Sequence, residues 1–539
     1  MASTAALDVL DADWDPDAWW TTTNFGEAVP GVLTALNWSF WSELGERAVR
    51  RVFHTIGTLD AAELGVPADP ADRILGVFHG RIAGKVDFLG RMGDRLPGTT
   101  GALVAESLIG ELPPGFTSHP TRAHYLTVAR GLPPTFVTLP RRLRALDAET
   151  ARWWAARTAG EPSDLAAAQA QFREGQRWFE RTLFHQVLSI FAGVQPVYDR
   201  VHALAAKAGD PTLAPRLLAG QGSHAELALV DGLWDLSRGR IDLARFQSEH
   251  GFHGPAEGEI ASHVWREDPA PVLALVEHYK RVGEAASPAA VLRERAAERE
   301  QAKAELLHGL GRAGRPAAEL TLRLAATYIP IRGLGKASFL RSLDVARAAA
   351  RRIGVLLADG GALDSPDDVH HLTADELLGA RPSDALQDLV AARRAQRDAH
   401  ALLSFSSAWK GRPVPSTDGP QAAEAPGAVL TGLGVSPGTV EGLVRVVDDP
   451  GFADVEDGEI LVARFTDPSW ASIMYCSAAL VVEVGGALSH AAVVARELGV
   501  PCVMGVAGAM TRLTTGDRCR VDGQRGTIEI LAGAALAAS

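Results

Sequence analysis

Val481-Val-Glu-Val-Gly-Gly-Ala-Leu-Ser-His-Ala-Ala-Val-Val-Ala-Arg-Glu-Leu-Gly-Val-Pro-Cys-Val-Met-Gly505 is the stretch whose reading decides the fold of the region around it. Ala479 to Val482 form a short apolar run rich in β-branched residues, which predicts a buried strand. Gly485 and Gly486 supply backbone freedom for a sharp turn, and Ser489 is suited to cap the helix that follows. That helix is expected from about His490 to Leu498, stopped by Gly499 with Pro501 just beyond, before a second strand at Cys502.

A histidine in the first turn of a helix lies beside unsatisfied backbone N–H groups and the positive end of the helix dipole, both of which favour an anion. If His490 is attacked by a phosphoryl donor, the new phosphate sits where those amides stabilise it, and the neutral imidazole is the nucleophile. An isolated histidine at such a place is more often a hydrogen-bonded helix-capping residue. Here the pattern Gly-Gly-x-Leu-Ser-His-Ala-Ala-x-Val-Ala-Arg-Glu-x-Gly-x-Pro resembles the phosphohistidine swivelling domain of the phosphoenolpyruvate-utilising enzymes. The resemblance implies a compact β/β/α domain with the phosphorylated histidine at His490, supported by Ser489, Gly485 and Gly486. Phe465-Thr-Asp-Pro-Ser-Trp470 also matches that family's Thr-Asp-Pro-x-Trp turn, so Thr466 and Asp467 are candidates to cap or orient the site, an ordinary Asx turn being the equal local alternative.

The chain is 539 residues long, 47% hydrophobic and 22% charged, which predicts several domains with ample buried apolar surface. No uncharged apolar run is long enough to span a membrane, and the Asp-rich start lacks the order of a signal peptide, so no membrane association is expected. Cys476, Cys502 and Cys519 have neither disulfide-framework nor zinc spacing and read as small core residues, consistent with a reducing cytoplasm. A formal net charge of -12 argues against a nucleic-acid partner.

Residues 1 to about 425 read mainly as helix, with apolar residues at three- and four-residue spacing and strands hard to find. Neither a P-loop nor a dinucleotide fingerprint is present within the 539 residues. The segment Trp19-Trp20-Thr-Thr-Thr-Asn-Phe-Gly-Glu-Ala28 resembles the start of the acceptor-binding domain of the rifampicin phosphotransferases, as does Gly80 to Gly90. Trp20, Asn24 and Glu27 offer a ring, an amide and a carboxylate suited to a pocket for a large organic molecule, while a packed N-terminal arm explains the same composition equally well. Glu249-His-Gly-Phe-His-Gly-Pro-Ala-Glu-Gly-Glu259 resembles a Gly-His-Arg-Gly-x-x-Glu element of these enzymes, with Phe252-His253 in place of His-Arg. His253 and Glu257 are read as lining a polar pocket. A metal on His250, His253, Glu257 and Glu259 is disfavoured because the glycines leave no regular ligand spacing, and the adjacent His370 and His371 cannot share a helix face. No metal site is therefore expected.

Tyr328-Ile-Pro-Ile-Arg-Gly-Leu-Gly-Lys-Ala-Ser-Phe-Leu-Arg341 places Arg332 and Lys336 one helical turn apart. Two like charges on one face repel unless an anion lies between them, and a phosphoryl group in transit is such an anion. The family keeps this Arg and Lys beside the acceptor, so the resemblance implies transition-state charge stabilisation by Arg332 and Lys336; a solvated basic face is the plain alternative. Arg341 and Arg347 read as structural.

Together these readings predict a mainly α-helical acceptor-binding domain over 1–410, a Pro/Gly/Ala-rich linker over 411–427 and a small β/β/α phosphohistidine domain over 428–539. Strands are expected at Val440 to Val447, Glu459 to Ala463, Leu480 to Val484, Cys502 to Gly505, Arg518 to Val521 and Thr527 to Leu531. The segment after Gly505 is far too short for a (β/α)₈ barrel of about 200 residues. The expected activity is phosphoryl transfer through His490 to a hydroxyl or enol of a small, largely apolar molecule. ATP and Mg²⁺ are expected on a separate ATP-grasp protein, with no cofactor held firmly by this chain. A phosphorylation-driven dehydratase or condensing enzyme, and a non-catalytic binding protein, are the competing functions.

Overall fold

The structure is a computed structural model that describes residues 8–12, 14–23, 25–29, 31–109, 112–221, 224–281, 283–284, 287–415, 426–448, 455–456, 458–466, 470, 473–474, 477–485 and 489–533. For Glu27, His224, His278, His490, Val493 and Glu497 it describes the backbone alone. The architecture is a large, mostly helical part with a C-terminal sheet domain. By compactness the chain divides into two units: Met1–Ala192, Ala256–Ser262 and Gly335–Asp418 form one, and Gly193–Pro255, His263–Leu334 and Gly419–Ser539 the other. One boundary of this division, between Asp418 and Gly419, falls within the expected 411–427 linker, and the others fall inside the region expected to be a single helical domain. The described ends of that linker are bound, Gly411 N–H to Ala18 O (2.8 Å) and Gly427 N–H to Ile530 O (2.7 Å), while residues 416–425 lie outside the described ones.

The first unit contains long helices, Tyr125–Thr158, Leu165–Ser189 and most of Arg332–Asp359 among them, and an antiparallel sheet that the helical reading of the sequence missed. Its strands are β1 (Trp19–Thr21), β2 (Leu75–Phe78), β3 (Arg81–Lys85) and β4 (Ala408–Lys410), in the order β2-β3-β1-β4. β2 and β3 are joined by the two-residue turn His79-Gly80, both at positive φ (44° and 74°), as a tight hairpin turn of this hand requires. On the sheet pack Trp14, Trp20, Phe78, Phe405 and Trp409. Among the helices, Phe40, Trp41, Phe172, Phe179 and Phe339 meet largely edge to ring, each pair adding about 0.5–1.5 kcal/mol beyond area burial. Glu46, fully buried, holds Arg50 at 2.7 Å and accepts the N–H groups of Ile74 and Leu75, fixing helix Glu46–Ile56 to β2.

In the second unit, helices His224–Ser237, Leu243–His250 and Ala270–Arg281 share a core of Leu229, Leu233, Trp234, Phe246, Trp265 and Tyr279. Among the described residues the C-terminal sheet has eight strands: β5 (Val429–Thr431), β6 (Leu433–Ser436), β7 (Thr439–Val447), β8 (Ile460–Ala463), β9 (Ala479–Val482), β10 (Cys502–Met504), β11 (Arg518–Asp522) and β12 (Thr527–Ala532). They lie in the order β5-β12-β11-β7-β8-β9-β10-β6, with β7, β8, β9 and β10 parallel and the remaining pairs antiparallel. Side chains alternate along each central strand. Leu461, Ala463, Leu480 and Val482 face the core shared with helix His490–Leu498, whereas Ile460, Val462, Ala479 and Val481 face the other core with Val521, Ile528 and Ile530. All six expected strands are present; β5 and β6 were not anticipated. Cys502 and Cys519 are buried, as expected of core residues. Among the described residues no helix is long and apolar enough to cross a membrane.

Candidate functional site

The helix carrying the candidate histidine runs over His490–Leu498, as the sequence predicts, and the backbone of His490 is its first helical residue. Ser489 is the N-cap, with extended φ and ψ (−61°, 164°). Its Oγ accepts the N–H of Ala492 at 3.0 Å and lies 2.8 Å from Met504 Sδ, which ties the helix start to the end of β10. Gly485 at φ 146° takes a backbone region closed to other residues, and Gly499 at φ 69° ends the helix in the left-handed conformation. Ala491, Ala492, Val494 and Ala495 are buried on the sheet, so the apolar face of the helix fixes how its N-terminus is presented. Thr466 is buried. Gly486, Asp467 and the side chain of His490 lie outside the described residues.

The far end of the same helix meets helices of its own unit. Arg496, 8% exposed, reaches the Val435 carbonyl at 3.4 Å and lies near Tyr198 and His202. Burial lowers the His202 pKa and the Arg496 charge lowers it further, both favouring the neutral imidazole. The two rings of Tyr198 and His202 are 4.4 Å apart. Arg295, on helix Pro288–Gly309, is paired with Glu298 at 2.6 Å and packs against Gly499. The approach of Arg496 to Tyr198 and His202, and of Arg295 to Gly499, is not legible in the sequence, because these partners are some 200 to 300 residues apart.

Arg332 and Lys336 lie at the start of helix Arg332–Asp359, four residues apart as expected. Each of the two cations has a carboxylate beside it. Arg332 Nη2 is 3.3 Å from Glu226 Oε1, and Lys336 Nζ is 2.8 Å from Glu257 Oε1. Glu257 belongs to a buried loop, Ala256–Ser262, held by backbone hydrogen bonds from two arginines. Arg347, fully buried, donates to the carbonyls of Glu257, Glu259 and Ile260, and Arg351 donates to those of Ala261 and Ser262. Glu259 accepts the hydroxyl and the N–H of Thr34, and Asn37 donates to Gly258 O. Arg347 is thus structural, as is Arg341, which is paired with Asp147 at 2.6 Å.

The remaining candidates divide. His253 is buried with its ring against Phe252 and Trp265. Trp20, suggested as a pocket residue, is instead fully buried in the sheet core between Trp14 and Phe78, because β1 is an inner strand. Asn24 lies outside the described residues, as does the side chain of Glu27, whose backbone belongs to the short helix Phe25–Ala28. Among the described residues, the one group of ligand-type side chains close enough to share a metal ion is Asp11, His79 and His400, which sequence spacing could not bring together.

Residues 196–332 match the rifampicin phosphotransferase fourth domain, and residues 455–526 the mobile domain of PEP-utilising enzymes. An uncharacterised protein of Mycobacterium tuberculosis is 34% identical over 343 residues, 62% of this chain and 36% of that protein. A rifampicin phosphotransferase of a Streptomyces species is 34% identical over 292 residues, 53% of this chain and 34% of its own length. One from Bacillus subtilis is 29% identical over 313 residues, 57% and 36% respectively. The match thus takes in about a third of each curated relative. A solved structure, holo aconitase X of Thermococcus kodakaraensis, is 27% identical and covers 20% of this chain and 99% of its own, with a TM-score of 0.17. Through its mobile-domain and fourth-domain stretches the chain resembles the phosphoenolpyruvate-utilising enzymes, and among them the rifampicin phosphotransferases.

Proposed function

We propose that this protein carries a phosphoryl group on His490 and delivers it to an oxygen of a small, largely apolar organic molecule. The observation that carries the reading is the Ser489-capped helix that begins at His490, in a stretch matching the mobile domain of PEP-utilising enzymes. The neutral imidazole attacks phosphorus, a P–N bond forms and the donor oxygen leaves; the acceptor oxygen then attacks and the P–N bond breaks, the acceptor's proton passing to a base or to water. Amides at the helix start favour the bound anion. Arg332 and Lys336 exchange part of their pairing with Glu226 and Glu257 for the transferring group and stabilise its charge. In this reading residues 1–410 hold the acceptor, 411–427 give mobility and 428–539 carry the phosphate, while ATP and Mg²⁺ act on a separate ATP-grasp protein. Support for the acceptor role comes from relatives named rifampicin phosphotransferases.

The test uses phosphoramidate, which phosphorylates imidazole directly, and, in a second arm, γ-labelled ATP with the ATP-grasp domain of a Streptomyces relative. Both are expected to give an acid-labile, base-stable phosphate on the wild-type chain and none on His490→Ala. Label retained by that variant rejects the assignment.

A further inference from the structure

The β2–β3 turn places His79 beside two segments remote from it in sequence, the N-terminal stretch at Asp8 to Asp11 and the end of helix Gln387–Ala401 at His400. One ligand-type atom from each of Asp11, His79 and His400 lies within 4.8 Å of the others. His79 Nδ1 is 3.4 Å from Asp11 Oδ2, and His400 Nε2 is 3.9 Å from Asp8 Oδ2. Tetrahedral zinc with bonds of about 2.0–2.1 Å sets neighbouring ligand atoms about 3.3–3.4 Å apart, so the group of three is spread wider than a bound ion would hold it, and Asp8 stands beside His400 outside that group. We propose that Asp8, Asp11, His79 and His400 form a structural site for a divalent transition-metal ion, zinc foremost.

In each histidine the nitrogen that would ligate is the one facing a carboxylate, and the opposite ring nitrogen has no hydrogen-bond partner. His400 is 7% exposed, and the unpartnered Nε2 of His79 is buried. The backbone is set for the geometry. Arg81 donates to the carbonyls of His79 (3.2 Å), His400 (3.1 Å) and Leu403 (2.6 Å), clamping both histidine-bearing segments. The His79 N–H donates to Asp11 Oδ1 at 3.4 Å, and the Leu10 N–H to Asp8 Oδ1 at 3.1 Å. Arg412, paired with Asp11 and half exposed, then serves as the outer partner of a metal-bound carboxylate. Two imidazoles select a transition metal over calcium or magnesium. Two carboxylates balance the ion's charge, and four protein ligands mark a structural rather than a catalytic site.

The experiment is a titration of the untagged full chain, stripped with chelator, with ZnCl₂ and separately with CoCl₂. One equivalent is expected to bind, Co²⁺ giving the strong visible absorption of a four-coordinate ion, and the melting temperature rises with Zn²⁺. His79→Ala and His400→Gln each weaken binding on the order of 10²-fold or more. Absence of stoichiometric binding by the wild type overturns the proposal, as does binding unchanged in both variants. If a histidine variant fails to fold, the decision passes to Asp8→Asn, whose side chain is partly exposed: affinity weakened at least about tenfold sustains the site, and unchanged affinity rejects it.

Discussion

Lys336 Nζ lies 2.8 Å from Glu257 Oε1, an ion pair in which the carboxylate is buried and the ammonium partly exposed. Removing one partner of such a pair strands the other charge, which is a larger loss than the pair itself is worth. Lys336→Ala is therefore expected to destabilise the protein by about 2 kcal/mol, below the full buried-pair cost because Lys336 is partly solvated. The double variant Lys336→Ala/Glu257→Gln should recover most of that stability in denaturant titrations. Under the proposed function it should still transfer phosphate from His490 to acceptor about 10²-fold more slowly. Recovery of both stability and transfer would leave Lys336 with a structural role only.

Gly499 predicts a separable pair of costs. At φ 69° an alanine is disfavoured by about 1 kcal/mol, and its ideal Cβ would stand 1.6 Å from Arg295 Nη2. Gly499→Ala should lower stability by both amounts. Adding Arg295→Ala removes the steric part and leaves the backbone part, as read from the midpoints of urea unfolding.

His370 makes stability fall with acid. Burial first, then the charges of Arg351 and Arg347, push its imidazole down to about 3, whereas the unfolded chain binds that proton near pH 6.5. The folded state excludes a proton that the unfolded state takes, so the neutral side chain's contribution is present above pH 6.5 and is lost as pH falls toward 3. The expected slope from this group is about 1.4 kcal/mol per pH unit across that window. In His370→Gln, stability measured between pH 6 and 4 should fall less steeply by about one proton; an unchanged slope would remove His370 as its source.

Local pattern carried the C-terminal domain. The alternation along Ile460–Ala463 and Ala479–Val482, the Ser489 cap and the Gly499 stop are all short-range signals, and each reads correctly. β5 and β6 escaped because they are three or four residues long, with a glycine between them and another inside β6. The first sheet escaped for a different reason. β1 and β4 are three residues each and become recognisable only when paired. The carboxylates opposite Arg332 and Lys336 were equally hidden: Glu226 lies 106 residues from Arg332, and no periodicity links such distances.

The pairing of β1 with β4 also has a consequence during synthesis. Thr21 Oγ1 bonds the carbonyl of Ser407, 386 residues further on. At about 5–20 residues per second, a ribosome needs about 20–80 s to make that intervening chain. Through that interval Trp19–Thr21 has β3 available on one side, while its other edge awaits a strand not yet translated. The nascent chain must therefore shield Trp20 and its neighbours until Ala408–Lys410 leaves the exit tunnel, and slowing or truncating translation short of that point exposes an open edge to other nascent chains.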